Sequence, residues 1–158
     1  MSGLGMIDAE AEDFSDALAV PLRPHRLRKV SDVVALLKHG GAWDDLDWLV
    51  LTAQDSEDAS LRNLRNPAQG LTPVGGPTFA ADRGWLGNGA DAYLGGGDVY
   101  ADLELTGWAG PAGRTAMRRV QSPHVSDRFV AFYAGRNLTP GSVALIDNAL
   151  ARYLDALG

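Results

Sequence analysis

The sequence predicts an α+β domain, mainly β, in which short antiparallel strands follow an N-terminal helical section and are closed by a C-terminal helix. Three observations predict it. From Thr78 to Gly97, turn residues alternate with aromatics (Phe79, Asp82-Arg83-Gly84, Trp85, Gly87-Asn88-Gly89, Tyr93, Gly95-Gly96-Gly97), the texture of short strands joined by tight turns. Val99 to Leu105 alternates apolar and polar residues at the two-residue period of a half-buried strand. At the C-terminus, Val143, Ile146, Leu150, Tyr153, Leu154 and Leu157 recur on one face of a helix that Thr139 caps, Pro140 opens and Gly158 closes.

The remaining elements follow in chain order. Asp8, Glu10, Glu12, Asp13 and Asp16 surround Ile7, Phe14 and Leu18 in an acidic arm or short helix that Pro21 ends. Around and after Pro21 and Pro24, Arg23, Arg26, Arg28 and Lys29 form an extended basic stretch. It reads as a solvated linker or, more sharply, as a strap that docks on an acidic partner surface. Residues 1–29 are therefore expected as arm and linker, and residues 30–158 as a single domain. Ser31 can cap a helix whose face carries Val30, Val33, Val34 and Leu37, stopped by Gly40-Gly41. Leu46 to Ala53 is a nearly continuous apolar run that reads as a buried strand. Residues 54–77, punctuated by Asn66-Pro67, Thr72-Pro73 and Gly75-Gly76-Pro77, read as loops holding one short helical turn around Ala59 to Leu64. Asn88-Gly89 is a strong hairpin signal, because both central positions of that turn need positive φ. Met117 to Val120 and Phe129 to Ala134 are further strands, separated from the alternating one by a turn at Gly107 to Gly113.

Composition narrows the function classes. The 158 residues carry a net charge of −6, and phosphates repel such a surface, so direct nucleic-acid binding is not expected. With no cysteine there is no disulfide, thiolate nucleophile or cysteine metal site. No stretch has the length of a membrane span, and the N-terminus lacks the basic and apolar regions of a secretory signal, so the chain reads as soluble in the cytosol that makes it.

Three spaced motifs carry a resemblance. The first is Val30-x-x-Val33-Val34-x-Leu36-Leu37-Lys38-x-Gly40-Gly41-x-Trp43-Asp44-x-Leu46-Asp47-x-Leu49. The second is Asn63-Leu64-x-Asn66-Pro67, followed by Pro77-Thr78-Phe79-x-Ala81-Asp82-Arg83-Gly84-Trp85-x-Gly87-Asn88-Gly89-x-x-x-Tyr93-Leu94. The third is Phe132-Tyr133-x-Gly135-Arg136-x-Leu138-Thr139-Pro140, running into the final helix with Tyr153. Together they resemble phage and prophage virion proteins with a concanavalin-like or laminin-G-like lectin fold, found in tail fibres, spikes and other particle appendages. Those proteins carry a long run of central strands where this chain has only residues 95–128. The resemblance therefore implies a reduced antiparallel sandwich, shortened in the middle, with strand edges covered by partner subunits.

What it implies for function is a non-enzymatic structural component of a phage or phage-like particle. Its partners would be other virion proteins and copies of itself, and its location the virion, assembled in the host cytoplasm. The alternative is a carbohydrate-binding adhesin module recognising a host surface glycan. Trp85, Trp108, Asn88, Asp91 and Tyr93, beside glycine-rich turns, are the candidate ligand or partner contacts. A hydrolase remnant is a third class. Asp44, Asp45 and Asp47 offer the carboxylates that glycoside cleavage needs about 5–10 Å apart, although turn residues are the plainer reading. His25, His39 and His124 lack paired zinc spacing, and Asp82, Asn88, Asp91 and Asp98 lack an EF-hand register. No cofactor and no metal is expected.

Overall fold

In a computed structural model, residues 6–87, 92–96, 99–102, 116–121, 129–135 and 138–157 are described. The order is α1 (Ala9–Ala17), α2 (Pro24–His39), a 3-10 turn (Trp43–Asp45), β1 (Leu46–Leu51), α3 (Glu57–Leu61), β2 (Thr72–Val74), β3 (Thr78–Ala80), β4 (Gly84–Leu86), β5 (Tyr93–Gly96), β6 (Val99–Asp102), β7 (Ala116–Gln121), β8 (Phe129–Gly135) and α4 (Pro140–Leu157).

β8 is the strand on which the larger sheet is organised. Its residues 131–135 pair antiparallel with β1 on one side, and β7 pairs along it on the other. β4 joins beyond the end of β1 through Trp85↔Phe129, and β3 pairs with β4. A second sheet has the order β2-β5-β6, also antiparallel.

The apolar run of β1 is explained by burial on both faces. Leu49 and Leu51 enter one core with Phe14 of α1, Val30, Val33, Val34 and Leu37 of α2, and Ile146, Leu150 and Tyr153 of α4. Trp48 and Val50 enter a second core with Leu71, Trp85, Ala92 and Leu94, under the smaller sheet. β8 divides in the same way, with Ala131 and Tyr133 toward the helices and Phe132 and Ala134 toward the second core. The result is three layers: helices, the five-stranded sheet, and the three-stranded sheet.

The mixed α+β class is as expected, and among the described residues the helices hold more residues than the strands. The excess comes from the N-terminal third. The proline-flanked basic stretch is not an extended linker. Pro24 sits at the opening of α2, where its fixed φ suits a helix and its missing N–H has no partner to lose, so Arg26, Arg28 and Lys29 are helical. Ser31 lies inside that helix and accepts the Asp8 N–H at 2.8 Å instead of capping. An arm ending at residue 29 also does not describe residues 7–29, because Ala11, Phe14, Leu18 and Leu22 belong to the main core. Lys38 adds a tie from α2 to Asp8 and Glu10. Partial burial opposes the Asp8 charge, yet the Lys38 ammonium and the Glu10 N–H outweigh it and hold the carboxyl below its ordinary range.

The hairpin expectation is also corrected. The Asn88-Gly89 turn lies outside the described residues, but the strands on either side of it do not pair, since β4 is in the larger sheet and β5 in the smaller. The tight hairpin is β3–β4. Its turn is closed by the Arg83 N–H on the Ala80 carbonyl at 3.0 Å, with Asp82 at φ 63, a conformation aspartate tolerates better than most side chains. At the other end of the chain α4 starts as expected, with Thr139 Oγ1 accepting the Ser142 N–H at 3.1 Å.

Gly135 marks a close backbone junction. A Cβ there would lie 2.3 Å from the Asp45 carbonyl oxygen and 2.7 Å from Leu138. At Gly141, in the first turn of α4, the nearest atom would be Thr139 Oγ1 at 3.8 Å. Gly135→Ala is therefore expected to lower the urea-unfolding free energy by about 1–3 kcal/mol. Gly141→Ala should leave it unchanged or raise it by about 0.4–1 kcal/mol.

Candidate functional site

The chain closes the outer edge of β1 with one side chain. The edge would otherwise present unpaired N–H and C=O groups, and the loop after α3 supplies their partners. Asn63 Oδ1 accepts the Leu49 N–H at 2.9 Å, and Asn63 Nδ2 donates to the Asp47 carbonyl at 3.0 Å. The same oxygen accepts the Arg65 N–H at 3.0 Å, and the same nitrogen donates to Gln69 Oε1 at 3.1 Å. All four hydrogen-bonding positions of the amide are thus used inside a fully buried side chain. The Leu64 N–H continues the ladder to the Leu49 carbonyl at 2.7 Å, and Arg65 Nε reaches the Leu46 carbonyl at 2.9 Å while its guanidinium lies 4.8 Å over the Trp43 ring. Edge closure of β1 by a partner subunit, expected above, is not needed here because the chain does it internally.

The predicted contact residues divide. Trp85 is 2% exposed and is not a surface contact. Its ring packs against Phe79 at 5.5 Å, and its Nε1 donates to Ser60 Oγ at 3.0 Å. Pairing within the sheet turns it toward the second core, a direction that adjacency to a glycine-rich turn does not disclose. Tyr93 is 38% exposed and directly opposite Val74, itself 39% exposed, in the β2–β5 register. Trp108, Asn88 and Asp91 lie outside the described residues.

The basic stretch is split by its helix. Arg26 points inward and is 4% exposed. It bonds Asp82 across the hairpin turn and donates to Gln54 Oε1 at 3.3 Å. Its Nε and the Gln54 Nε2 have no hydrogen-bond partner among the described residues. Tyr153 of α4 completes the cluster and donates to the Ala53 carbonyl at 2.7 Å. Burial pushes the Tyr153 hydroxyl well above the ordinary tyrosine range. Burial also opposes the Arg26 charge, but the neighbouring Asp82 and Asp55 carboxylates outweigh it and hold the guanidinium above its ordinary range. Arg23 faces Asp55 at 3.9 Å, whereas Arg28 is exposed and Lys29 is half-buried. For Arg23 and Arg26, then, the acidic surface is the chain's own.

Asp44, Asp45 and Asp47 sit at the junction into β1, where Asp45 accepts the Ser142 Oγ–H at 3.2 Å and pins the start of α4. Among the described residues no group of three metal-ligating side chains comes together, and no helix is long and apolar enough to cross a membrane. Sequence reasoning missed the role of Asn63. In the sequence Asn63 falls in the helical turn expected around Ala59 to Leu64 and in the second resemblance motif, and neither discloses the strand edge that it closes. No protein-family model matches the chain, and no curated protein or solved structure is significantly similar to it.

Two outcomes are expected. Asn63→Ala leaves the Leu49 N–H and Asp47 carbonyl without their side-chain partner and should cost about 2–3 kcal/mol in urea unfolding. The Arg26–Asp82 pair should respond asymmetrically. Asp82→Asn strands a buried guanidinium and should cost about 3 kcal/mol, whereas Arg26→Met leaves a carboxylate that water can reach and should cost about 1 kcal/mol. Equal losses would show that Arg26 is not held in a desolvated place.

Proposed function

We propose that the chain is a non-enzymatic structural component of a phage or phage-like particle, a tail, fibre or capsid-surface subunit that acts by fitting against its neighbours. In this reading its two packed sheets are a reduced concanavalin-like sandwich, its partners are other virion proteins and copies of itself, and its location is the virion. The observation that carries the reading is the use made of the residues in the three resemblance motifs. Trp43, Asn63, Asp82, Trp85 and Gly135 all serve as joints of the frame, by stacking, edge closure, ion pairing, core packing and close approach. Polar groups spent on internal joints support a role carried by shape more than by chemistry.

The test is to purify particles from producing cells and measure the chain by quantitative mass spectrometry. A fixed copy number per portal ring supports the proposal, and absence from particles made in cells that contain the chain would overturn it. A second reading, glycan recognition, is favoured by Tyr93 beside Val74, since an exposed aromatic next to an apolar neighbour can stack on sugar C–H groups. On a glycan array that reading requires a signal that Tyr93→Ala abolishes.

A further inference from the structure

We propose that the groove between α2 and α4 is a docking site for an acidic amphipathic helix of a partner protein. The two helices run antiparallel. They meet closely at one end, where Gly40 lies so near Leu145 of α4 that a Cβ would overlap it. Along the rest of their length lies a groove of about 450 Å³, lined by Val33 and Leu36 of α2 and by Ala149 and Tyr153 of α4.

Its rim reverses the charge of the chain. The whole sequence carries −6, yet the groove is bordered by the cations Lys29 and Arg152, with His39 beside them, against a single carboxylate, Asp32. Among the described residues Lys29, His39 and Arg152 form no ion pair, while Arg26 and Lys38 on the same helix are both engaged by the chain's own carboxylates. An apolar floor with cations at its margins selects a ligand that is apolar on one face and anionic on its flanks. Lys29 and His39 are separated by ten residues of helix, about 15 Å at 1.5 Å per residue, which is the span of about three helical turns. A helix with apolar residues at i, i+3 or i+4 and i+7 fits that length, with aspartates or glutamates beside them.

A second copy of this chain fits poorly. A twofold contact through the groove would set cations against cations. The chain's own acidic helix, α1, already buries Ala11 and Phe14 in its own core. The inference goes beyond the particle reading and holds whether or not the chain is a virion component.

The test is selection from a displayed library of random 16-residue peptides on the full chain, followed by fluorescence anisotropy of the enriched peptides. Enriched sequences should combine helical apolar spacing with an excess of Asp and Glu and bind more weakly as salt rises. They should lose at least tenfold in affinity on the Lys29→Glu/Arg152→Glu double variant. Both residues are at the surface, and an unchanged circular dichroism spectrum shows that the variant folds. Enrichment of neutral or basic sequences, no enrichment, or binding that the double variant leaves intact would each overturn the proposal. So would a dimer in sedimentation that the double variant disperses, because it would assign the groove to a second copy.

Discussion

A buried amide bonded on all four sides is the constraint on which the rest of the molecule depends. Asn63 stands in for a missing neighbouring strand: its carbonyl oxygen and amide nitrogen take the positions that a backbone would occupy opposite Asp47 and Leu49. Only with that edge satisfied can β1 be covered on both faces, because a strand buried above and below has no water to receive its outward N–H and C=O groups. The adjoining Arg65 extends the closure to Leu46 and stacks on Trp43, so the same short loop secures the turn that leads into β1.

Given a closed β1, the two cores follow. One binds the helices to the larger sheet and the other binds the smaller sheet to its opposite face. At one end of the helix layer sits a charged joint. Arg26 of α2, Asp82 in the β3–β4 turn and Tyr153 of α4 come from three distant parts of the sequence and lock the layers in register. A guanidinium in that place gains little net stability over an apolar side chain, but it fits only when all three elements are correctly seated. The positive φ of Asp82 is kept by the same joint, since the Asp82 N–H is held by the Gln54 carbonyl at 2.8 Å.

Much of the secondary structure was legible where local rules act alone. The closing helix with its Thr139 cap, the buried strand at Leu46 and the strand at Phe129 are where the sequence patterns place them, while the short helix expected around Ala59 to Leu64 runs earlier, from Glu57 to Leu61. Elsewhere tertiary context decided. Pro24 reads equally as an extender or as the first residue of a helix, and the burial of Arg26 against Asp82 favours the helix. Trp85 reads as exposed from its glycine neighbours, yet strand pairing turns it to the core. Of the candidate contacts Tyr93 does lie at the surface. The role of Asn63 had no local signature, because what it satisfies lies fourteen residues back along the chain.

The place of β8 in the chain has a consequence for biosynthesis. The strand that holds the larger sheet together is made after every other strand, and it pairs with β1 across a separation of roughly eighty residues. A nascent chain halted before Phe129 has β1 with its Asn63 edge in place but with its opposite edge unpaired and the α4 side of the helix-facing core missing. Long-range closure of this kind is slow, and exposed strands are what chaperones retain. Ribosome-bound intermediates lacking β8 and α4 would be the sticky species in the life of this protein, and emergence of the segment from Phe129 to Leu157 is the event that ends that exposure.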